Sequence, residues 1–252
     1  NDKLHWESTA TTDIGLDFGF FNHRLTGEID YYNKYTSDIL YHPELYLSMG
    51  VVGSAPENLG EVRNRGVEFT LNWNDRIGKD FTYRVGFNLS DSQAKITKYD
   101  LNPDGNIGDH YVGEKIGEIW GFVTDGFYST DEEAAGVDNS DIWGGKWLAG
   151  DVRYKNLNGD KTADGKDIIS KGHSKLQDPG DRKIIGNNTA RYNYGISLSA
   201  EYKNFDFSCL MQGVGKRDLM LGGAYFWGFT DEWRTPTTEP VSYTHLTLPT
   251  KA

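Results

Sequence analysis

The chain has a single cysteine, Cys209, in 252 residues. That excludes a disulfide framework, and no Cys-X-X-Cys pair offers zinc or redox chemistry. Positive charge is also short, with 26 Lys+Arg against 37 Asp+Glu and a net charge of -11. A nucleic-acid binder needs a basic face, so no nucleic-acid partner is expected. No stretch approaches the roughly 18 apolar residues of a transmembrane helix, and no basic-then-apolar leader or methionine opens the chain. None of these absences removes a membrane β-barrel, whose strands are apolar on one face only and whose mean hydropathy therefore stays polar.

Signs of catalysis are equally sparse. Six histidines (His5, His23, His42, His110, His173 and His245) lack metal-ligand spacing. There is no Gly-X-Ser-X-Gly elbow, and Cys209 sits on an apolar strand face as a small hydrophobe. Gly213-Val-Gly215-Lys216-Arg217 lacks the spacing of a phosphate loop. Carboxylates are too numerous to single out a glycosidase pair. The expectation is a protein that is not an enzyme.

What the chain does have is glycine, 30 residues, with 7 Trp, 15 Tyr and 12 Phe. Its length suits one large domain or two ordinary ones. Apolar residues recur with the period of two that marks strands with unlike faces. Ile14, Leu16, Phe18 and Phe20 alternate with Asp13, Gly15, Asp17 and Gly19. The same pattern predicts strands over 24–35, 66–74, 81–89, 192–202 and 205–211. Tight connections at 22–23, 74–80 and 203–204 alternate with long ones at 36–60 and 98–190. Strict alternation of short turns and long loops is the habit of outer-membrane barrels. On this reading Asp13, Asp17, Glu28, Asp30, Glu68 and Arg84 face a wet lumen, and Tyr31, Trp73, Tyr83, Tyr192 and Tyr202 form interfacial girdles. A soluble or surface-exposed β-sandwich that binds carbohydrate is the alternative.

The 98–190 segment is the candidate functional region. Thr130-Asp131-Glu132-Glu133 reads as a capping box that starts a short helix near 131–136. Trp120, Tyr128, Trp143 and Trp147 offer flat apolar faces beside Asp and Asn groups, a combination that suits sugars or peptides. They equally suit a role in holding the loop together. Asn156 to Asp167 has the oxygen spacing of a twelve-residue calcium loop, with ligands at Asn156, Asn158, Asp160, Thr162, Asp164 and Asp167. Lys161 stands where that loop wants glycine, and Asn156 and Asp167 replace its usual Asp and Glu. A polar turn held by Asx hydrogen bonds is the competing reading.

Three strings carry a family resemblance: "TTDIGLDFGFFNHRLTGEIDYYNKYTSDIL" (11–40), "GEVRNRGVEFTLNW" (60–73) and "IIGNNTARYNYGISLSAEYKNFDFSCLMQGVGKRD" (184–218). With "GDVRYKNLNGDKTADGKD" (150–167), they resemble the C-terminal barrel of SusC/RagA-type TonB-dependent transporters. The resemblance covers residues 1–235, with 98–190 as a long extracellular loop. It implies an antiparallel transmembrane β-barrel, part of a 22-stranded cylinder (about 22 in large transporters), in the outer membrane of a Bacteroidetes-type Gram-negative bacterium. It further implies import of glycans, oligosaccharides or peptides, a SusD-like surface lipoprotein as partner, and energy from TonB–ExbB–ExbD through an N-terminal plug region that this sequence lacks. Outer-membrane lipid is the remaining partner, and no cofactor is required beyond calcium in the 156–167 loop. Residues 236–252, ending "PVSYTHLTLPTKA", match no family strand and are expected to be a non-native tail.

Overall fold

The computed structural model describes residues 4–43, 55–142 and 144–221. Two compact units divide the chain at residues 217 and 218. The architecture below is that of the first. Of the second, only residues 218–221 are described, outside any strand. Trp143 and the 236–252 tail lie outside the described residues.

Six antiparallel strands make one sheet: β1 (Ser8–Phe20), β2 (Leu25–Tyr41), β3 (Glu57–Ile77), β4 (Phe81–Tyr99), β11 (Arg191–Tyr202) and β12 (Phe205–Lys216), in that spatial order. The register converts six alternating patterns into two continuous faces. Phe18, Gly27, Leu71, Phe87, Ile196 and Met211 are direct partners across the sheet. One residue over, Asp17, Glu28, Thr70, Asn88, Gly195 and Gln212 form the neighbouring row. Successive rows point to opposite sides, so the first belongs to an apolar face and the second to a polar one. A one-residue slip of any strand would mix them. Gly27 serves the apolar row by being small: the Phe18 ring lies across it, where a Cβ would collide.

The apolar face is bounded by aromatics. Near the tight turns, Trp73 Nε1 donates to the Tyr83 hydroxyl at 3.2 Å, with Phe81, Tyr202 and Phe205 alongside. At the other boundary stand Tyr31 and Tyr192, both exposed. The turn joining β1 to β2 uses left-handed backbone at Phe21, Asn22 and His23. No second sheet packs on either face among the described residues, whereas a sandwich buries one sheet against another. The β-sandwich alternative is thereby set aside.

The strands outrun their periodic stretches. β3 covers 21 residues and β4 covers 19, about twice the 9–11 that a tilted strand needs to cross a bilayer. The expected 36–60 link therefore shrinks to the segment between Tyr41 and Glu57. The reason is physical. Alternation marks only the part of a strand with one continuous apolar face, and beyond it the backbone ladder continues without that pattern.

The expected 98–190 loop is a folded module on the same end of the sheet as these extensions. It holds β5 (Glu118–Phe122), β6 (Thr124–Phe127), helix α1 (Asp131–Ala135), β7 (Val137–Asp138), β8 (Val152–Tyr154), β9 (Asp167–Ile168) and β10 (Arg182–Asn187). These pair as β5 with β10, β6 with β8, and β7 with β9. All the buried hydrophobic side chains among the described residues lie between Ile96 and Ile169, in this module and the strand end beneath it.

Candidate functional site

Helix α1 begins as its sequence dictates. The Thr130 side chain accepts from Glu133 N at 3.2 Å, and Glu133 reaches back to Ser129 N at 2.7 Å. A capping box usually returns to the cap residue itself, and here the return bond falls one residue earlier. Glu133 also pairs with Arg153 at 2.5 Å, and Arg153 donates to the Asp125 carbonyl at 2.7 Å. The Ser129 N–H and then Arg153 hold the Glu133 carboxyl below its usual range. The helix is thus tied to β8 and β6.

Around this frame the aromatics take two different roles. Trp120 is half-buried on β5 and donates from Nε1 to the Tyr111 hydroxyl at 3.1 Å. Tyr111 in turn donates to Glu118 at 2.5 Å, and burial followed by that bond pushes its phenol well above the usual range. Phe122 shares the Trp120 face of β5, two residues along. Its ring lies 5.3 Å from Tyr154, which also meets Trp147 at 6.2 Å. Trp120 and Trp147 therefore keep part of their surfaces open while their orientations are fixed. Tyr128 does not. Only 2% of it is exposed, and its hydroxyl accepts from buried Asn139 at 3.1 Å. It is core, with its hydroxyl tied to Asn139, and it offers no face to a ligand.

The 156–167 loop is held by its own N–H groups. Asn156 Oδ1 accepts from Gly159 N, Asn158 Oδ1 from Asp160 N at 2.9 Å, and Thr162 Oγ1 from Lys166 N at 3.0 Å. Asp167 Oδ1 accepts from Asn156 Nδ2 and pairs with Lys161 at 3.4 Å. The Asp160 carboxylate accepts from Asn158 Nδ2, and Asp164 is exposed. As arranged, the oxygens serve Asx-type turns and an ammonium group, a poor fit to a cation shell. Among the described residues no group of three or more His, Cys, Asp or Glu side chains gathers in metal-binding geometry.

The anchor of this loop is a residue that sequence reasoning missed. Asp181 is fully buried, and its carboxylate accepts from Leu157 N (2.5 Å), Asn158 N (3.1 Å) and Ser170 N (2.8 Å). Three N–H groups on one carboxylate clasp two chain segments, 157–158 and 170, to the Asp181 turn. Asp181 follows Asp178-Pro179-Gly180, a turn without periodicity, so nothing local marks it. Tyr111 and Tyr154, which orient the tryptophans, were missed for the same reason.

The polar face of the sheet is the second candidate surface. Asp17, Glu28, Asp30 and Glu68 cluster there, because Asp17 faces Glu28 and Asp30 faces Glu68 across the ladders. Asn88, Ser90, Asn193 and Ser197 continue the same face. Such a wall needs water or another polar surface against it.

Residues 1–204 match the TonB dependent receptor-like β-barrel family. TonB-dependent receptor P3 of Formosa agariphila is 32% identical over 225 residues, which are 84% of this chain and 21% of that protein. TonB-dependent receptor SusC of Bacteroides thetaiotaomicron is 29% identical over 223 residues, 82% of this chain and 19% of that protein. The RagAB peptide transporter structure shares the fold at a TM-score of 0.58 and 21% identity, over 82% of this chain and 21% of the solved one. The chain spans about a fifth of the length of these relatives. One apolar face, one polar face, tight turns at one end and a folded loop at the other are what a segment of such a wall requires. The chain belongs to the TonB-dependent receptor β-barrel family, and it covers part of the barrel region.

Proposed function

We propose that the chain forms one sector of an outer-membrane importer of oligosaccharides or peptides. The apolar face meets lipid, the acidic and amide-rich face lines the lumen, and the 100–190 module projects outside as a substrate-contacting loop. One observation carries the reading: the register assembles every apolar set of the six strands onto a single face. The outer edges of β1 and β12 have no partner strand among the described residues, and in this proposal the rest of a 22-stranded cylinder, about the size of large transporters, continues from them. Residues 1–235 then belong to the barrel, and 236–252 stand apart as a non-family tail. A SusD-like lipoprotein lid over the loop module and TonB–ExbB–ExbD acting through a plug complete the proposed machine. No covalent chemistry is assigned to it.

Trp120 and Trp147 are the proposed stacking surfaces for a sugar ring or an apolar peptide side chain; Trp143, proposed with them on sequence grounds, lies outside the described residues. The test is uptake of fluorescent oligosaccharide and peptide libraries by cells carrying the protein. Trp120→Ala with Trp147→Ala should weaken binding of one library about tenfold while leaving membrane insertion intact. Equal uptake of both libraries with and without the tryptophans would reject the assignment. Calcium at Asn156–Asp167 is a separate proposal, since it requires Lys161 to leave Asp167 and the Asn156 amide to turn. Calorimetric titration of the folded protein with calcium tests it, and absence of heat counts against it.

A further inference from the structure

Toward the loop end, the apolar face changes character within two residues. On β3 the run Val67, Phe69, Leu71 and Trp73 gives way to Arg65 and Arg63, which occupy the same face by strand alternation. On β4, Gln93 and Lys95 stand directly opposite them: Arg65 faces Gln93 and Arg63 faces Lys95. On the far side of β4, an isolated antiparallel bridge places Lys115 opposite Lys95. Arg63, Lys95 and Lys115 thus form one cross-strand row of three cations, with Arg65 one step below. Like charges placed directly opposite destabilise a sheet. The chain as a whole carries a net charge of -11, so a supply of acidic partners is not what is missing.

None of the ion pairs among the described residues takes up these four side chains, and all four are exposed. The nearby acids are engaged elsewhere. Asp91 holds Arg191 through two bonds, and Glu61 accepts from the Tyr35 hydroxyl. Arg63 rests on the Tyr35 ring, 5.4 Å from its centroid. Arg63, Arg65, Gln93 and Lys95 line a pocket of about 470 Å³ whose wall also includes Ile96 and the exposed Val112. Cations over an apolar wall suit an amphiphile more than a free ion.

Height decides which amphiphile. With a rise of about 3.3 Å per residue and a tilt of about 45°, Arg65 stands roughly 5 Å and Arg63 roughly 9 Å beyond Val67 along the membrane normal. A headgroup layer occupies roughly 5–8 Å on each side of the hydrocarbon core. Arg65 therefore stands within the headgroup layer and the Arg63–Lys95–Lys115 row at its outer rim, from which long cationic side chains reach back to the phosphates. We propose that Arg63, Arg65, Lys95 and Lys115 bind the phosphate of a phosphorylated lipid headgroup in the leaflet at the loop end. The proposal rests on the apolar face being the lipid face, and its test separates the two.

The test uses the chain with its native barrel, purified in neutral detergent and presented to vesicles of phosphatidylcholine with or without phosphatidic acid or a diphosphorylated glycolipid. Wild-type protein should retain the phosphorylated lipid preferentially. Combined R63Q, R65Q, K95Q and K115Q should weaken retention at least tenfold, and K98Q, whose lysine is paired with Asp100, should change nothing. If the quadruple variant folds poorly, R63Q with K95Q alone should still lower retention severalfold. Salt should reproduce the loss, because exposed charges are screened. Equal retention by wild type and variants would overturn the proposal, as would competition by inorganic phosphate as effective as that by the lipid. Failure of the protein to enter vesicles of any composition would instead reject the lipid-facing reading itself.

Discussion

The six-stranded sheet and the 100–190 module are built on opposite principles. Apolar residues in the sheet stay largely exposed, with Ile14, Leu16 and Phe207 each 60% accessible or more. In the module, Tyr111, Tyr128 and Ile169 are buried, and a buried carboxylate gathers backbone donors. A sheet without a core depends on its surroundings to cover one face, whereas a module with a core carries its own. The difference teaches that one chain can leave an apolar face for its surroundings to cover in one region and bury its own core in another.

The largest expected effect breaks the sheet side of this contrast. Phe87→Arg, in the middle of the apolar row, should cost about 2–4 kcal/mol of stability in the membrane-inserted protein, as a cation at mid-bilayer does. Asn88→Arg, one residue along on the polar face, should cost little. Denaturant titration in vesicles compares them, and equal costs would mean that the faces do not differ in solvent.

The next prediction targets the module. Asp181→Ala should lower its local stability by about 2 kcal/mol, since it leaves three N–H groups without their acceptor. Amide hydrogen exchange should quicken at Leu157, Asn158 and Ser170 while the sheet stays protected. Uniform acceleration across the sheet would show that the two regions unfold as one. Thr130→Ala removes only a helix cap and should cost about 1 kcal/mol, read as faster proteolysis within 131–135.

The smallest effect is that of pH. The Ser129 N–H and Arg153 depress the Glu133 carboxyl, and the bond with His173 depresses that of Asp178. A folded pKa below the unfolded one means stability that is present at neutral pH and lost as pH falls through the folded value. Tryptophan fluorescence of the module should therefore begin to change below about pH 4, the usual carboxylate range, before strand content does. Simultaneous loss would erase the distinction.

Legibility in the sequence follows the same divide. The apolar periods of 14–20 and 81–89 already located strands, because a strand between two unlike solvents must alternate. The Thr130 cap was also readable, since its partners lie within four residues. The upper halves of β3 and β4 left no periodic trace, as Ile96 and Tyr99 are buried there by contacts with the loop module and not by a face common to the whole sheet. Of the two roles open to Tyr128, stacking surface or loop packing, burial gives it the second, and Asp181 was overlooked, because burial there depends on segments that meet from 11 or more residues away. Lys115 gave no hint that it stands beside Lys95.

The sequence by itself determined the two-faced wall, its turns and the family to which it belongs, because alternation and turn chemistry are local. Only the tertiary structure decided which oxygens of the 156–167 loop are already bonded, which tryptophans keep an open face, and that three cations share one row. Those facts depend on register and on long-range contact, which no single stretch of residues encodes.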